Sequence, residues 1–342
     1  VILVTPTARR IFGWDGDVVG DNILHQLPQS VQIELARPLY KIAAGESESA
    51  EFRIPLTQPT NRTIRILLTT VLDQLRESIK GIAMTVQDIT REVELNEAKS
   101  QFISNVSHEL RTPLFNIKTY IETLHDYGDN LSETERQEFL ETANHETDRL
   151  TRLVNDVLDL SRLESCRIYR FDAVDLAQAI EQTLRTYQLN AKDKGVELIQ
   201  SVEPDLPPAI GHYDLLLQVF TNLVGNALKF TKSGGKVAIR AYTLNNSTSG
   251  VVRVEVSDTG IGIDPEDQQA IFERFFRVEN RVHTLEGTGL GLSIVRNIMD
   301  KHQTTVHLVS EVGVGTTFWF DLAVFQEPAN MNNLPAVEAQ TA

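Results

Sequence analysis

The sequence is poor in cysteine, in long apolar runs and in basic residues. Cys166 is its one cysteine, so the chain alone can form neither an internal disulfide nor a cysteine-based zinc site. No segment reaches the roughly 18 consecutive apolar residues that a membrane-spanning helix needs. Lys and Arg number 32 against 47 Asp and Glu, which gives a formal net charge of −15. That charge argues against direct binding of nucleic acid.

The length of 342 residues predicts two or three domains, each with its own core. The apolar run from Val1 to Val4 predicts a strand, and because the chain starts at Val1 rather than Met, we expect a piece of a longer protein. Three β-rich runs then follow one another without helices between them, at 50–55, 63–72 and 80–90. They predict a small α+β domain over 1–90, with an antiparallel sheet and helices on one face.

Two long helices are predicted next. Apolar residues recur at spacings of three and four from 89 to 124, as on one amphipathic helix. After a short polar break, Ser132 and Glu135 form a capping-box signature that opens a second helix. The two helices predict an antiparallel hairpin over 91–166. A lone hairpin cannot cover two apolar stripes, so we predict a homodimer with a four-helix bundle. The alternative is that the hairpin packs on its own flanking domains.

From 170 to 325 helices alternate with strands, which is typical of an α/β sandwich. The predicted helices are 176–194, 214–229 and 290–301. The predicted strands are 196–202, 236–244, 251–258, 305–312 and 317–323. We expect the tail at 327–342, which is rich in Ala, Asn and Pro, to be disordered.

The first long helix carries the segment SHELRTPL at 107–114. His108 is the candidate nucleophile, because a neutral imidazole is available near neutral pH. Thr112 lies four residues on and shares its helix face, whereas Glu109 is placed on the solvent side. From there its carboxylate could hold one ring proton of His108 and raise the basicity of the other nitrogen. Pro113 cannot donate to the carbonyl of Glu109, so the helix should bend or loosen just past His108.

A second cluster of polar residues lies on the predicted helix at 214–229. Asn222, Asn226 and Lys229 share one face of it. Amide oxygens suit Mg²⁺ when phosphate oxygens complete its shell, and a lysine can contact phosphate. Alone, this is a common helix face.

Two glycine clusters complete the candidate site. Asp258 ends a strand and precedes Gly260 and Gly262, so its carboxylate could accept from the amino group of adenine while the glycines permit close approach. A simple Asp-Gly turn is the alternative there. A second cluster opens a helix, where free N–H groups can bind phosphate: Gly287, Thr288, Gly289, Leu290 and Gly291. It is not a P-loop, and it does not directly follow a strand.

Between the glycine clusters, Phe272, Phe275 and Phe276 precede a polar stretch that ends at Glu286. Aromatic anchors before such a stretch are typical of the hinge of a nucleotide-covering lid. Arg277 could then reach the γ-phosphate.

Taken together, these segments resemble the sensor histidine kinases of two-component systems. SHELRTPL matches the H box of that family, NLVGNALKF the N box, DTGIGI the G1 box, FERFF the F box and GTGLGL the G2 box, in the family's order. Residues 142–165 look most like the group of the cyanobacterial non-bleaching sensor kinase and its plastid-encoded relatives. The resemblance implies three domains: a PAS domain at 1–90, a dimerisation and phosphotransfer hairpin at 91–166, and a Bergerat-type ATP-binding domain at 167–326.

The resemblance also implies a mechanism. His108 would accept the γ-phosphoryl group of ATP, with Mg²⁺ on Asn226 and with Phe230 and Thr316 adding to the nucleotide pocket. A response-regulator receiver domain would then take the phosphoryl group on an aspartate, and Thr112 would position water for phosphatase action. Missing upstream segments would anchor the full-length protein to a membrane, with these domains in the cytoplasm or the plastid stroma.

Two rival functions remain open. A GHKL-type ATPase would use the nucleotide residues but not SHELRTPL, and a PAS-dimer signalling scaffold would have no kinase activity. His25 is the single histidine of the first domain, which also has no cysteine, so no haem or flavin ligand is evident and the stimulus is open.

Overall fold

The computed structural model describes residues 1–57, 60–73, 79–166, 168–244, 250–277 and 287–326. Its contacts divide the chain into two compact units, an N-terminal unit over 1–104 and a C-terminal unit over 105–342. The lid predicted to end at Glu286 and the tail at 327–342 lie outside the described residues. No helix within these described ranges combines the length and the apolarity that crossing a membrane requires.

The N-terminal unit contains three helices followed by a three-stranded antiparallel sheet. The helices are α1 (Pro6–Phe12), α2 (Ile23–Gln26) and α3 (Gln29–Ala43), and the strands are β1 (Ser49–Leu56), β2 (Arg62–Leu72) and β3 (Ile79–Asp88), in the order β1-β2-β3. Alternate residues of β2 point to the core, where Ile64, Ile66 and Leu68 are fully buried with Val31 and Leu35 of α3. The predicted antiparallel sheet is confirmed.

The predicted strand at Val1 to Val4 is wrong, because no strand forms there. Ile2 and Leu3 are 89% and 84% exposed. An apolar run becomes a strand only when a neighbouring strand takes its N–H and C=O groups. In the described structure Val1 instead accepts from the amide of Gly20 at 2.8 Å.

Two long helices follow and form the hairpin. They are α4 (Thr90–Tyr127) and α5 (Glu133–Ser165), with a 3₁₀ turn at Gly128–Asn130 between them. The predicted capping box is confirmed: Glu135 Oε2 accepts from the amide of Ser132 at 2.8 Å, and Ser132 Oγ accepts from the amide of Glu135 at 3.3 Å. α4 is continuous through Pro113, which is buried.

The rest of the C-terminal unit is the predicted α/β sandwich. Its helices are α6 (Leu176–Lys194), α7 (Tyr213–Phe230) and α8 (Gly291–Lys301), and its strands are β4 (Asp172–Val174), β5 (Glu197–Val202), β6 (Ala209–Gly211), β7 (Lys236–Leu244), β8 (Val251–Asp258), β9 (His307–Glu311) and β10 (Gly315–Ala323). The main sheet has the order β5-β7-β8-β10-β9, in which β5 and β7 are parallel and the other pairs antiparallel. β4 and β6 form a separate pair.

Helix caps and an apolar core fix the helices of this domain against its sheet. Asp175 caps α6 by accepting from the amide of Gln178 at 3.1 Å, and Gly195 ends the helix with φ of 68°. Between helices and sheet, Phe220 of α7 stacks on Phe320 of β10 with ring centroids 6.3 Å apart, and both are fully buried. Burying one such side chain contributes about 1.5–3 kcal/mol. The core thus fixes α7 against the sheet that carries Asp258.

Candidate phosphoacceptor and nucleotide site

His108 lies on α4 with its side chain exposed. Among the described residues its ring has no hydrogen-bond partner. Thr112 shares its face, as predicted, and its hydroxyl donates to the carbonyl of His108 at 3.3 Å. The hydroxyl thus turns back to its own helix. The imidazole is left open to a reactant that approaches from solvent.

Glu109 does not lie on the solvent side, contrary to the prediction. Its Oε2 atom lies 3.2 Å from Nη2 of Arg149 on α5, and its side chain is 32% exposed. The same guanidinium lies 3.6 Å from Oε2 of Glu146, whose other oxygen accepts from Asn116 at 3.2 Å. Glu109 faces the second helix because that helix offers it a cation. In this arrangement its carboxylate pairs with α5 rather than with the ring of His108.

The predicted polar face of α7 meets the loop at 287–291. Nζ of Lys229 lies 2.7 Å from the position that a β-carbon would take on Gly287, and Oδ1 of Asn222 lies 3.3 Å from that position on Gly291. A side chain at Gly287 would therefore displace the ammonium group of Lys229. Asn226 lies one turn beyond Asn222 on α7 and is half-buried.

The end of α7 is held by a residue that the sequence did not single out. Nζ of Lys194, at the end of α6, donates to the carbonyls of Leu228 and Lys229 at 2.7 Å each. These carbonyls belong to the last turn of α7, where a cation is favourable. Phe230, half-buried, then lies with its ring centroid 4.6 Å from Nζ of Lys229. Lys194 thereby sets the position of both predicted binding residues.

Asp258 ends β8 with its carboxylate anchored to backbone. It accepts from the amide of Gly260 at 2.8 Å and from the amide of Thr316. Burial raises the pKa of Asp258, although these two hydrogen bonds act to lower it. Thr316 itself is buried, with its hydroxyl 2.8 Å from that of Ser310.

Two glycines allow the backbone around Asp258 to pack closely. A β-carbon on Gly315, which has φ of 140°, would lie 2.0 Å from the carbonyl oxygen of Asp258. A β-carbon on Gly262, with φ of 70°, would lie 2.0 Å from the carbonyl oxygen of Glu311. Neither position accepts another residue.

The aromatic segment before the predicted lid packs on the domain. Phe272 meets Phe318 edge to face, with centroids 6.2 Å apart, and the amide of Phe275 donates to the carbonyl of Gly289 at 2.9 Å. Arg277 is exposed and is the last described residue before Gly287. The structure thus joins the segment at 272–277 to the loop at 287–291.

Sequence reasoning missed a set of contacts between α5 and the nucleotide domain. Thr288 donates to Asp156 at 2.5 Å, Gln218 donates to Asp159 at 2.7 Å, and Arg274 pairs with Glu164. The partners are far apart in sequence, so no local pattern reveals them. The available signal was the pair of acidic residues at 156 and 159, close to Leu153 and Leu160, which are buried.

The comparisons with known proteins match this layout. Residues 98–166 match the family of His Kinase A phospho-acceptor domains, and residues 211–326 match that of histidine kinase-, DNA gyrase B- and HSP90-like ATPases. The chain is 65% identical over 352 residues to Drug sensory protein A of Synechocystis sp. (strain ATCC 27184 / PCC 6803 / Kazusa), covering 95% of this chain and 53% of that protein. It is 52% identical over 343 residues to the uncharacterized sensor-like histidine kinase ycf26 of Pyropia yezoensis, covering 96% and 52%.

The chain spans about half the length of these curated relatives. A solved structure with a similar fold is that of histidine kinase ThkA in complex with response regulator protein TrrA, at 21% identity and a TM-score of 0.54, covering 94% of this chain and 91% of that one. A phosphoacceptor domain and an ATPase domain follow one another in the order that the five sequence motifs predict. The chain therefore belongs to the sensor histidine kinases.

Proposed function

We propose that this chain is an ATP-dependent protein-histidine kinase that phosphorylates its own His108 and passes the phosphoryl group to an aspartate of a response-regulator receiver domain. The observation that carries the proposal is the exposed imidazole of His108, which has no hydrogen-bond partner among the described residues, on a helix of the phosphoacceptor family. A reactive ring must be both accessible and free to accept a phosphorus atom.

The nucleotide residues have complementary tasks in this proposal. The carboxylate of Asp258 accepts from the amino group of adenine. Gly260 and Gly262 keep the turn after β8 closely packed, because a β-carbon there would meet the carbonyl oxygens of Phe230 and Glu311. The phosphates lie against Lys229 and against the amides of residues 287–291, and the lack of a side chain at Gly287 lets the ammonium group of Lys229 lie beside this loop. Arg277 adds a positive charge near the γ-phosphate.

Mg²⁺ fits the chemistry of this donor set. Asn226 offers an amide oxygen, a ligand that suits a hard cation. It lies half-buried on the same helix face as Asn222 and Lys229. When bound, the ion neutralises phosphate charge. Lys229 and the loop amides hold the same phosphates in place, so that positioning and charge neutralisation lower the barrier.

The transfer forms one bond and breaks another at each step. A neutral ring nitrogen of His108 attacks the γ-phosphorus, the new P–N bond forms, and the bond to the oxygen of ADP breaks. The proton on the other ring nitrogen goes to water, because Glu109 is held by Arg149. A receiver carboxylate later attacks the phosphorus and the P–N bond breaks. For phosphatase action, Thr112 must first release the carbonyl of His108.

The domain boundaries belong to the proposal as well. Residues 1–90 would form a PAS domain, and its end at Asp88 is supported by the hydrogen bonds that Asp88 Oδ1 accepts from Thr90, at 3.1 Å from the amide and 2.6 Å from the hydroxyl. Residues 167–326 would form the ATP-binding domain. Membrane anchorage through upstream segments stays a prediction.

A homodimer through residues 91–166 is supported by apolar side chains that the single hairpin leaves exposed. These are Leu95, Ile103, Leu114, Phe115, Ile121, Leu140, Val154 and Leu158. A second copy would bury them in a four-helix bundle. Sedimentation equilibrium should give twice the mass of the chain, and a monomer at micromolar concentration would contradict the dimer.

The experiment that tests the kinase activity uses γ-labelled ATP with Mg²⁺. We expect a label that is stable in base and labile in acid, that is lost in His108→Gln and retained in His125→Gln. His125 is the matched control, because it is an exposed histidine of the same helix. ATP hydrolysis without label would instead favour the GHKL-type ATPase. The absence of both ATP hydrolysis and label would favour the scaffold.

A further inference from the structure

The hydroxyl of Thr288 links a carboxylate of the hairpin to the predicted phosphate loop. It donates to Oδ2 of Asp156 on α5 at 2.5 Å, and it accepts from the amide of Leu290 at 3.2 Å. Leu290 immediately precedes α8, and within the part of the chain that the structure describes it has no other side-chain cap. One amide at the N-terminus of α8 is thus already occupied, by a hydroxyl whose orientation Asp156 fixes.

The carboxylate of Asp156 is poorly solvated in this arrangement. Burial raises its pKa, and the charge of Asp159 acts in the same direction, whereas the hydrogen bond from Thr288 and the positive charge of Arg152 lower it. A desolvated anion beside a loop that binds phosphate opposes the arrival of a second anion.

Two further contacts hold α5 to the same domain. Nε2 of Gln218, on α7, donates to Asp159 at 2.7 Å, and Arg274 pairs with Glu164. Leu160 lies between these acidic residues and is fully buried. Asp156 is therefore part of a face of α5 that docks on the nucleotide domain, and it is the member of that face that touches the loop.

We propose that Asp156 is a latch: its carboxylate holds Thr288 in the docked arrangement and must release it before the phosphates of a nucleotide bind the loop at 287–291. The proposal rests on the proposed function and adds its regulation. Docking of α5 and binding of ATP then oppose each other, and by linkage each weakens the other by the same factor. A signal that moves α5 would raise the affinity of the domain for ATP.

The test compares three forms of the full chain: wild type, Asp156→Asn and Asp148→Asn. Asp148 is the matched control, because it is an exposed aspartate two turns earlier on α5 and the substitution removes the same charge. We measure the dissociation constant of trinitrophenyl-ATP with Mg²⁺ and the initial rate of His108 phosphorylation against ATP concentration. Asp156→Asn should bind about fivefold or more tightly, with a lower KM, whereas Asp148→Asn should match wild type.

Hydrogen exchange at residues 287–291, measured without nucleotide, reports on the opening of this loop independently of kinase activity. It should become faster in Asp156→Asn and faster still in Asp156→Ala, because the amide of Leu290 loses its fixed acceptor. Equal or weaker nucleotide binding by both Asp156 variants, with wild-type binding intact, would overturn the latch alone. Failure of the wild-type chain to bind nucleotide at all would overturn both the latch and the proposed function.

Discussion

Phe275 and Gly289 are joined backbone to backbone, and both adopt left-handed conformations. The amide of Phe275 donates to the carbonyl of Gly289 at 2.9 Å, and their φ angles are 63° and 72°. A left-handed phenylalanine costs about 1–2 kcal/mol, so the surrounding structure must hold it in place. The bond fixes the distance between the aromatic segment and the phosphate loop.

Substitution of Gly289 by alanine should break this arrangement. The new β-carbon would lie 2.8 Å from the α-carbon of Phe275, and that neighbour is backbone, which cannot turn away. We expect the substitution to lower the free energy of unfolding of the domain by more than the roughly 1–2 kcal/mol of left-handed strain alone. We also expect nucleotide affinity to fall at least tenfold, measured by titration with fluorescent ATP.

Gly313→Ala separates the strain from the collision. Gly313 has φ of 81°, but no atom of the described residues lies within 4 Å of the position of its β-carbon. The alanine there should cost only the left-handed strain and leave nucleotide affinity near the wild-type value. Equal affinities for the two variants would show that contact with Phe275 does not matter to the site.

Asp258→Asn should change stability and binding in opposite directions. Burial raises the pKa of Asp258, so the ionised carboxylate lowers the free energy of unfolding of the nucleotide-free protein. The neutral side chain of asparagine removes this destabilisation, and its oxygen can still accept from the backbone amide of Gly260. We expect a higher urea midpoint at pH 7.5 and a large loss of ATP affinity, because the carboxylate no longer accepts from the adenine amino group.

Asp264→Asn is the control for that experiment. Asp264 is exposed and accepts from the amide of Glu266 at 3.0 Å, a bond that asparagine also makes. It should leave both the urea midpoint and the affinity unchanged. If Asp258→Asn lowered both quantities together, its carboxylate would be a structural anchor rather than a ligand for the base.

We expect the ion pairs of the Arg149 guanidinium to stabilise the hairpin more than an exposed ion pair would. It is 20% exposed and lies between the carboxylates of Glu109 and Glu146. Arg149→Leu leaves two carboxylates facing each other, and we expect a loss of about 1–3 kcal/mol of unfolding free energy, less than for a fully buried pair. Arg136→Leu, which removes an exposed ion pair with Glu133, should cost under about 1 kcal/mol.

A double variant tests the electrostatic reason. Glu146→Leu together with Arg149→Leu removes the less exposed carboxylate with its cation and replaces both by apolar side chains, so part of the stability should return. All variants must be compared at one protein concentration, because association would shift the midpoints. If the double variant were less stable than Arg149→Leu, packing of the arginine stem rather than charge would dominate.

Local signals predicted most of the C-terminal unit. The bounds of α6, β7 and β8 agree with the prediction. Asp175 and Gly195 cap α6, and apolar residues alternate with polar ones along β8. The pair of β4 and β6 was missed, since strands of three residues carry no period. Contacts between distant segments were missed for another reason. The side of α4 on which Glu109 lies depends on Arg149, 40 residues further on, and no local pattern contains that partner.

The fold should also respond to pH through His302. Its Nε2 accepts from the amide of His212 at 3.1 Å, its Nδ1 lies 2.8 Å from the carbonyl of Ile298, and its ring meets that of Phe171 edge to face. Burial, with a smaller contribution from the charge of His212, lowers the pKa of His302 from its ordinary value of 6.5. Protonation would place a donor on Nε2 against the amide of His212.

The sign of the effect follows from proton linkage. Below about pH 6.5 the unfolded chain binds a proton at His302 that the folded chain does not, so stability is fully present above pH 6.5 and is lost as the pH falls toward the lowered pKa. The loss can reach about 1.4 kcal/mol per pH unit within that window. Urea denaturation between pH 5 and 8 should give a steeper acid decline for wild type than for His302→Gln, whose amide oxygen can accept from His212 without titrating. Parallel curves for the two proteins would mean that His302 is already free to protonate in the folded domain.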